Sequence, residues 1–285
     1  MIDFLKVIAH LCIGFPSLPK TPVSPAYAVL LYITQLRQKK MKLFHKIHLW
    51  LSIPFGLVMT VTSLSGAILV FEKEITGMLN SRQEAVVKIG EGKAGTEISN
   101  PYKENSDKDT AVIKKNVKKT YPFFKTTRSI HRWLLDKPTG KKISAGRTIV
   151  GISTLMMALV LASGLVIWWP HSGKALRNRL TVSCSNGMRR FLHDTHSSLG
   201  FYVCLILFIM AITGLSWSFT WWGYGMKSLI SVLAPEANPM KLIWLIHTGA
   251  WGGLFSKALW FISALIGATL PLTGYYMWFK RIKKH

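Results

Sequence analysis

Four stretches without a charged residue, 49–71, 148–169, 197–226 and 258–279, stand out from a polar background. A helix crosses the hydrocarbon core of a bilayer with about 20 consecutive apolar residues, and each stretch is long enough. The pattern predicts an all-α membrane protein with four transmembrane helices. The longest polar segment, 72–147, lies between the first and second spans. It predicts a small extracytoplasmic insert, too short and too charged to bury much core alone. Tryptophans gather near span ends, at Trp168, Trp169, Trp221, Trp222 and Trp278, as an aromatic belt would require.

The spans also repeat. In the first, His48 is followed 18 residues later by Gly66 and 5 residues further by Phe71. In the third, His196, Gly214 and Phe219 keep the same intervals. The second and fourth share Ser163-Gly164 with Trp168 and Thr273-Gly274 with Trp278. These matches predict two copies of a two-helix unit in parallel orientation, related by an axis along the membrane normal. Eighteen residues of helix rise about 27 Å, so each histidine-bearing end is matched by a glycine near the opposite face. Glycine lets a flat ring system approach the backbone. Gly66 and Gly214 are therefore expected to flank a ligand at the outer face, and Gly164 and Gly274 one at the inner face. Packing of helices on small residues is the plainer use of the same glycines.

Charge orients the helices. The chain carries 36 Lys and Arg against 12 Asp and Glu, a net charge of +24. Nucleic-acid binders can be as basic, but they carry the charge on a soluble face. Here it lies between and beyond the spans, so lipid headgroups are the expected contact and no nucleic acid is expected. Arg37, Lys39, Lys40, Lys42 and Lys46 precede the first span. Lys174, Arg177, Arg179, Arg189 and Arg190 fill the loop between the second and third, and Lys280, Arg281, Lys283 and Lys284 follow the last. Short loops rich in Lys and Arg stay in the cytoplasm, which predicts both termini inside and the segment 72–147 outside.

That topology sorts the histidines. His48 and His196, with His45 and His193 three residues before them, share the inner face; His131 and His247 share the outer face. Ionisable groups at membrane depth are costly and mark function. Paired histidines inside a helical bundle can hold a haem iron. The expected ligands are His48 with His196 for an inner haem and His131 with His247 for an outer one. His131 lies 17 residues before the second span, so the chain between them must bend it back. His45 and His193 are secondary candidates, as alternative ligands, partners of haem propionates or solvated neighbours. His171 and His285 are expected to be bystanders.

Other chemistry is weaker. Cys12, Cys184 and Cys204 form no CxxC and no CxxCH, so any haem would be held non-covalently, as haem b. HKIH and HDTH resemble zinc half-sites, but nothing explains such sites beneath a hydrophobic bundle. Gly90-Glu-Gly92-Lys-Ala-Gly95 matches GxGxxG by letter, yet no helix is expected after it, so a dinucleotide site is rejected. Residues 1–40 lack a signal-peptide layout. Met41 opens MKLFHKIHLW like a natural start, so 1–40 are expected to be an upstream extension of a domain over 41–285.

The segments HLWLSIPFGLVMTVTSLSGAILVF, IHRWLLDKPTGKKISAGRTIVGISTLMMALVLASGLVIWWP, LHDTHSSLGFYVCLILFIMAITGLSWSF and IHTGAWGGLFSKALWFISALIGATLPLTGYYMWFKR resemble the PepSY-associated transmembrane helix family. That family includes iron-regulated membrane proteins and siderophore reductases of bacterial inner membranes. The resemblance implies a di-haem inner-membrane reductase that releases iron from ferric siderophores, with His48, His131, His196 and His247 on the family's recurrent histidines. The implied partners are a ferric siderophore or other ferric chelate and a quinol or cytoplasmic electron donor. The segment 72–147 is shorter than a full PepSY domain. Two rival functions use no haem: a membrane module whose outer loop restrains a partner protein, and a transporter component.

Overall fold

The computed structural model describes residues 25–82, 121–137, 144–170, 172–185 and 187–282. Four helices in it are long and apolar enough to cross a membrane, and the described residues contain no strand. The chain is an all-α, multi-pass membrane protein.

Helix α1 (Pro25–Val70) contains the first span. It runs through residue 40 without a break, so the described part of the expected extension continues the span; residues 1–24 lie outside the described residues. A helical stretch over 72–82 follows. Helix α2 (Pro122–Trp133) begins on a proline at its first turn, where a missing N–H costs nothing. It ends on Leu134 in the left-handed region, with φ 49°. Residues 83–120, including the GxGxxG match, lie outside the described residues.

Helix α3 (Ala145–Trp168) is the second span, started by Ser144, whose hydroxyl accepts the Arg147 N–H. The short α4 (Gly173–Leu180) leads to α5 (Gly187–Ser218), the third span. Helices α6 (Thr220–Leu233) and α7 (Pro239–Thr248) precede α8 (Gly253–Ile282), the fourth span.

The third apolar stretch was expected to run to residue 226, but the helix stops at Ser218 and restarts at Thr220. Phe219 is extended, and the Ser218 carbonyl accepts from Arg147 Nε at 3.1 Å. Gly223 makes the fold-back possible, since a Cβ there would come within 2.8 Å of the Ser216 carbonyl. The indole of Trp222 then donates to the Ile212 carbonyl at 2.9 Å. Apolarity persists through the turn, so hydropathy alone does not see it.

Helix α1 packs on α3 and α8, and α5 packs on the same two. Helices α1 and α5 thus stand at opposite corners of a four-helix square. Small residues fill its seams: Ala67, Ser153, Ser198, Ala211 and Ser263 are each at most 2 % exposed, which lets backbones approach closely in a bilayer. Leu57, Leu159, Leu205 and Ile262 point outward, toward lipid.

Candidate functional site

Each of the four candidate histidines rests on a Ser/Thr-Gly step of a different span. His48, on α1, donates from Nδ1 to the Val160 carbonyl (3.0 Å) and lies 3.3 Å from the Ser163 hydroxyl of α3. His131, on α2, meets the Thr62 carbonyl (2.8 Å) and Ser65 hydroxyl (3.3 Å) of α1. His247, on α7, meets the Met210 carbonyl and Thr213 hydroxyl of α5, both at 3.0 Å. His196, on α5, bonds the Thr273 hydroxyl of α8 at 2.8 Å.

The seats share one chemistry. In each, the Ser or Thr hydroxyl donates to a backbone carbonyl one turn back: Ser65 to Val61, Ser163 to Val160, Thr213 to Ile209 and Thr273 to Leu270. Its proton is spent, so it can only accept from the imidazole. A carbonyl and a proton-spent hydroxyl both require N–H at Nδ1. This fixes the tautomer and leaves Nε2 with a free lone pair.

The glycine of each step makes room for the ring. A Cβ on Gly66 would lie 2.9 Å from His131 Cε1, one on Gly214 3.0 Å from His247 Cε1, and one on Gly164 3.2 Å from His48 Cε1. Gly274 is looser, 3.8 Å from His196 Cε1. Gly66 and Gly214 thus lie against His131 and His247, and Gly164 and Gly274 against His48 and His196. The protein side chain nearest each of these four glycines is an imidazole.

The rings face each other in two pairs. His48 and His196 have centroids 6.3 Å apart, and His131 and His247 also 6.3 Å apart. The outer pair lines a cavity of about 880 Å³, with Gly66, Gly214 and Trp217 on its wall. Trp217 lies 5.2 Å from the His247 ring. Burial, and after it the neighbouring His131, pushes His247 down to about 4; burial likewise lowers His131. Both are neutral at pH 7, the form that binds metals.

Two short helices carry the outer histidines, and both end in a left-handed residue just beyond them. His131 is three residues before Leu134, and His247 two before Gly249, whose φ is 68°. The Asp136 carboxylate holds α2 to the start of α3, accepting from Gly146 N–H and the Ser144 hydroxyl, each at 3.0 Å. Those two bonds hold its carboxyl below the usual range. Gly146 is indispensable to this joint: a Cβ there would fall 1.8 Å from the Trp133 carbonyl oxygen. The bend that returns His131 to the bundle is built here.

The secondary candidates do not join the pairs. His45 is exposed and bonds the Met41 carbonyl of its own helix at 2.8 Å. His193 is 65 % exposed beside Asp194. Neither ring turns into the bundle with His48 and His196. Among the described residues no three His, Cys, Asp or Glu side chains converge as a metal site. His171 and His285 lie outside the described residues.

Sequence reasoning found the histidines and glycines but missed Ser65 and Thr213, although each stands before its glycine as Ser163 and Thr273 do. It also missed the cations around the outer cavity, which come from three separate segments.

The family model of the PepSY-associated TM region matches residues 45–242 and 228–281. The chain belongs to that family. The matched segments contain all four seated histidines and all four seat glycines. No curated protein and no solved structure matches the chain.

Proposed function

We propose that this PepSY-associated membrane protein is a di-haem b electron-transfer protein of a bacterial inner membrane. His48 and His196 would hold the inner haem, and His131 and His247 the outer one. It would take electrons from a quinol or a cytoplasmic reductase and deliver them to chelated ferric iron, such as a ferric siderophore, at the outer face. A low-spin haem with two imidazole ligands supplies one-electron transfer without an open position for O₂.

One observation carries the reading: both pairs have the same centroid spacing, 6.3 Å. An imidazole nitrogen bonds a transition metal at ~2.0 Å and lies ~1.1 Å from its ring centre, so two imidazoles on opposite sides of one ion sit ~6.2 Å apart. The donor set agrees. All four Nδ1 atoms are engaged by their seats, which leaves Nε2 for the metal. The outer cavity, about 880 Å³, is within the ~300–1,000 Å³ range of cofactor pockets.

The chain's own part is positional. The seats hold the imidazole protons on Nδ1, so no protein group needs to move a proton as electrons pass. The basic loops on one side of the spans support the expected orientation, with both termini in the cytoplasm. The rival roles, a partner-restraining module and a transporter component, require neither equal spacing nor a fixed tautomer.

Two assays test this. Purified protein expressed with ample haem should hold two haems per chain by pyridine haemochrome. His48→Ala or His131→Ala should each leave one, and the double variant none; a wild type without haem refutes the reading. Proteoliposomes loaded with a reductant should form Fe(II) from external ferric chelate, detected by ferrozine. A haem-replete protein that forms none overturns the reductase part alone.

A further inference from the structure

The outer cavity carries a charge imbalance that the histidine pair does not use. Its wall includes four cations, Lys73, Arg128, Arg132 and Lys257, and one carboxylate, Glu72. Arg128 pairs with Glu72, and Lys257 with Glu74. Lys73 and Arg132 make no ion pair among the described residues, although the charge of Lys73 also acts on Glu74 beside it. Lys73 stands over the Trp244 ring, 4.0 Å from its centroid, and Arg132 lies 4.8 Å from that of Trp133.

Cations gathered in a partly dry cavity repel one another, and an anion between them relieves the repulsion. Guanidinium and ammonium groups bond carboxylates with charge-assisted hydrogen bonds, the guanidinium in bidentate form. These two cations share the cavity with the outer pair, Arg132 following His131 directly. We propose that Arg132 and Lys73 form a carboxylate-binding rim of the outer cavity. Two sources can supply the carboxylates: the propionates of a haem held by His131 and His247, or an anionic ferric chelate rich in carboxylates. The first source rests on the haem reading, and the second stands without it.

The test compares wild type, Arg132→Lys and the double variant Arg132→Gln/Lys73→Gln as full-length protein in detergent. The readouts are haem content, midpoint potentials by optical titration, and the Kd of gallium citrate, a redox-inert carboxylate chelate, by tryptophan quenching. If the rim serves a propionate, the double variant loses the outer haem or its midpoint potential falls, while the inner haem is unchanged. If it serves a chelate, both haems stay and gallium citrate binds at least tenfold more weakly. Arg132→Lys retains part of either effect. Unchanged haem content, potentials and gallium citrate affinity in a double variant of normal helicity overturn the rim and leave the haem reading intact. Colourless wild type that binds gallium citrate through these two residues refutes the haem reading and leaves the rim intact. A comparison that needs no variant covers the case of misfolding: wild type should prefer gallium citrate to a neutral gallium trihydroxamate, the more so at low salt. Equal affinity for the two, with haem content and potentials indifferent to Arg132→Lys, overturns the rim.

Discussion

At the scale of single residues, the decisive device is a hydroxyl, a carbonyl and a glycine one turn apart, repeated on four spans. The seats differ in tightness, and the difference makes predictions. A methyl group on Gly66 or Gly214 would press into an imidazole at 2.9 or 3.0 Å, whereas on Gly274 it would meet ordinary contact at 3.8 Å. Gly66→Ala or Gly214→Ala should reduce outer-site haem per chain, and Gly274→Ala should leave the inner site filled, as read by pyridine haemochrome. Every imidazole also meets a backbone carbonyl of its seat, Val160 for His48, Thr62 for His131, Met210 for His247 and Leu270 for His196, so no single hydroxyl is the only acceptor. Thr273 approaches its imidazole to 2.8 Å and Ser65 only to 3.3 Å. Thr273→Val should therefore lower haem retention more than Ser65→Ala, and neither should empty its site. A larger loss in Ser65→Ala would contradict the seat geometry.

The histidines and glycines were legible because an 18-residue interval recurs in two spans and a Ser/Thr-Gly-x3-Trp pattern in the other two. Ser65 and Thr213 escaped because a hydroxyl bonded to its own helix is ordinary in a membrane span. Only the approach of an imidazole from another segment gives it a role. His45 and His193 could not be separated from His48 and His196 by spacing. Helix phase separates neighbours three residues apart, and it leaves the first two exposed.

At the scale of elements, α2 and α7 each deliver one outer histidine from outside the spans. Hydropathy finds spans well and such short helices poorly, so the route by which His131 returns to the bundle was left open. It depends on the joint at Trp133, Asp136 and Gly146. Gly146→Ala should push the end of α2 away and empty the outer site while leaving the inner one filled. Asp136 adds a pH dependence. Its folded carboxyl titrates below its ordinary value, so its contribution to the joint is complete above an ordinary carboxyl pKa of ~3.9 and is lost as pH falls through the lowered value. Asp136→Asn should hold outer haem less well than wild type at neutral pH, and the difference between the two should shrink in that acid range, where the histidines also protonate. An identical pH profile in both would contradict that contribution.

At the scale of the whole molecule, four spans place one histidine pair near each end of a square bundle. Gly66, which seats the outer His131, lies 18 residues beyond the inner His48 on α1, or about 27 Å of helix. Composition and hydropathy foretold an all-α membrane chain. They could not foretell that both pairs would close to one spacing, since that depends on contacts among six helices distant in sequence.

The most direct measurement is the absorption spectrum of the detergent-purified protein, oxidised and then reduced with dithionite, together with haem per chain. The expected result is a Soret band that shifts on reduction, sharp α and β bands of low-spin iron, and two haems per chain that fall to one in His247→Ala. A colourless protein from haem-replete cells, or haem content indifferent to His247, would contradict two bis-histidine sites.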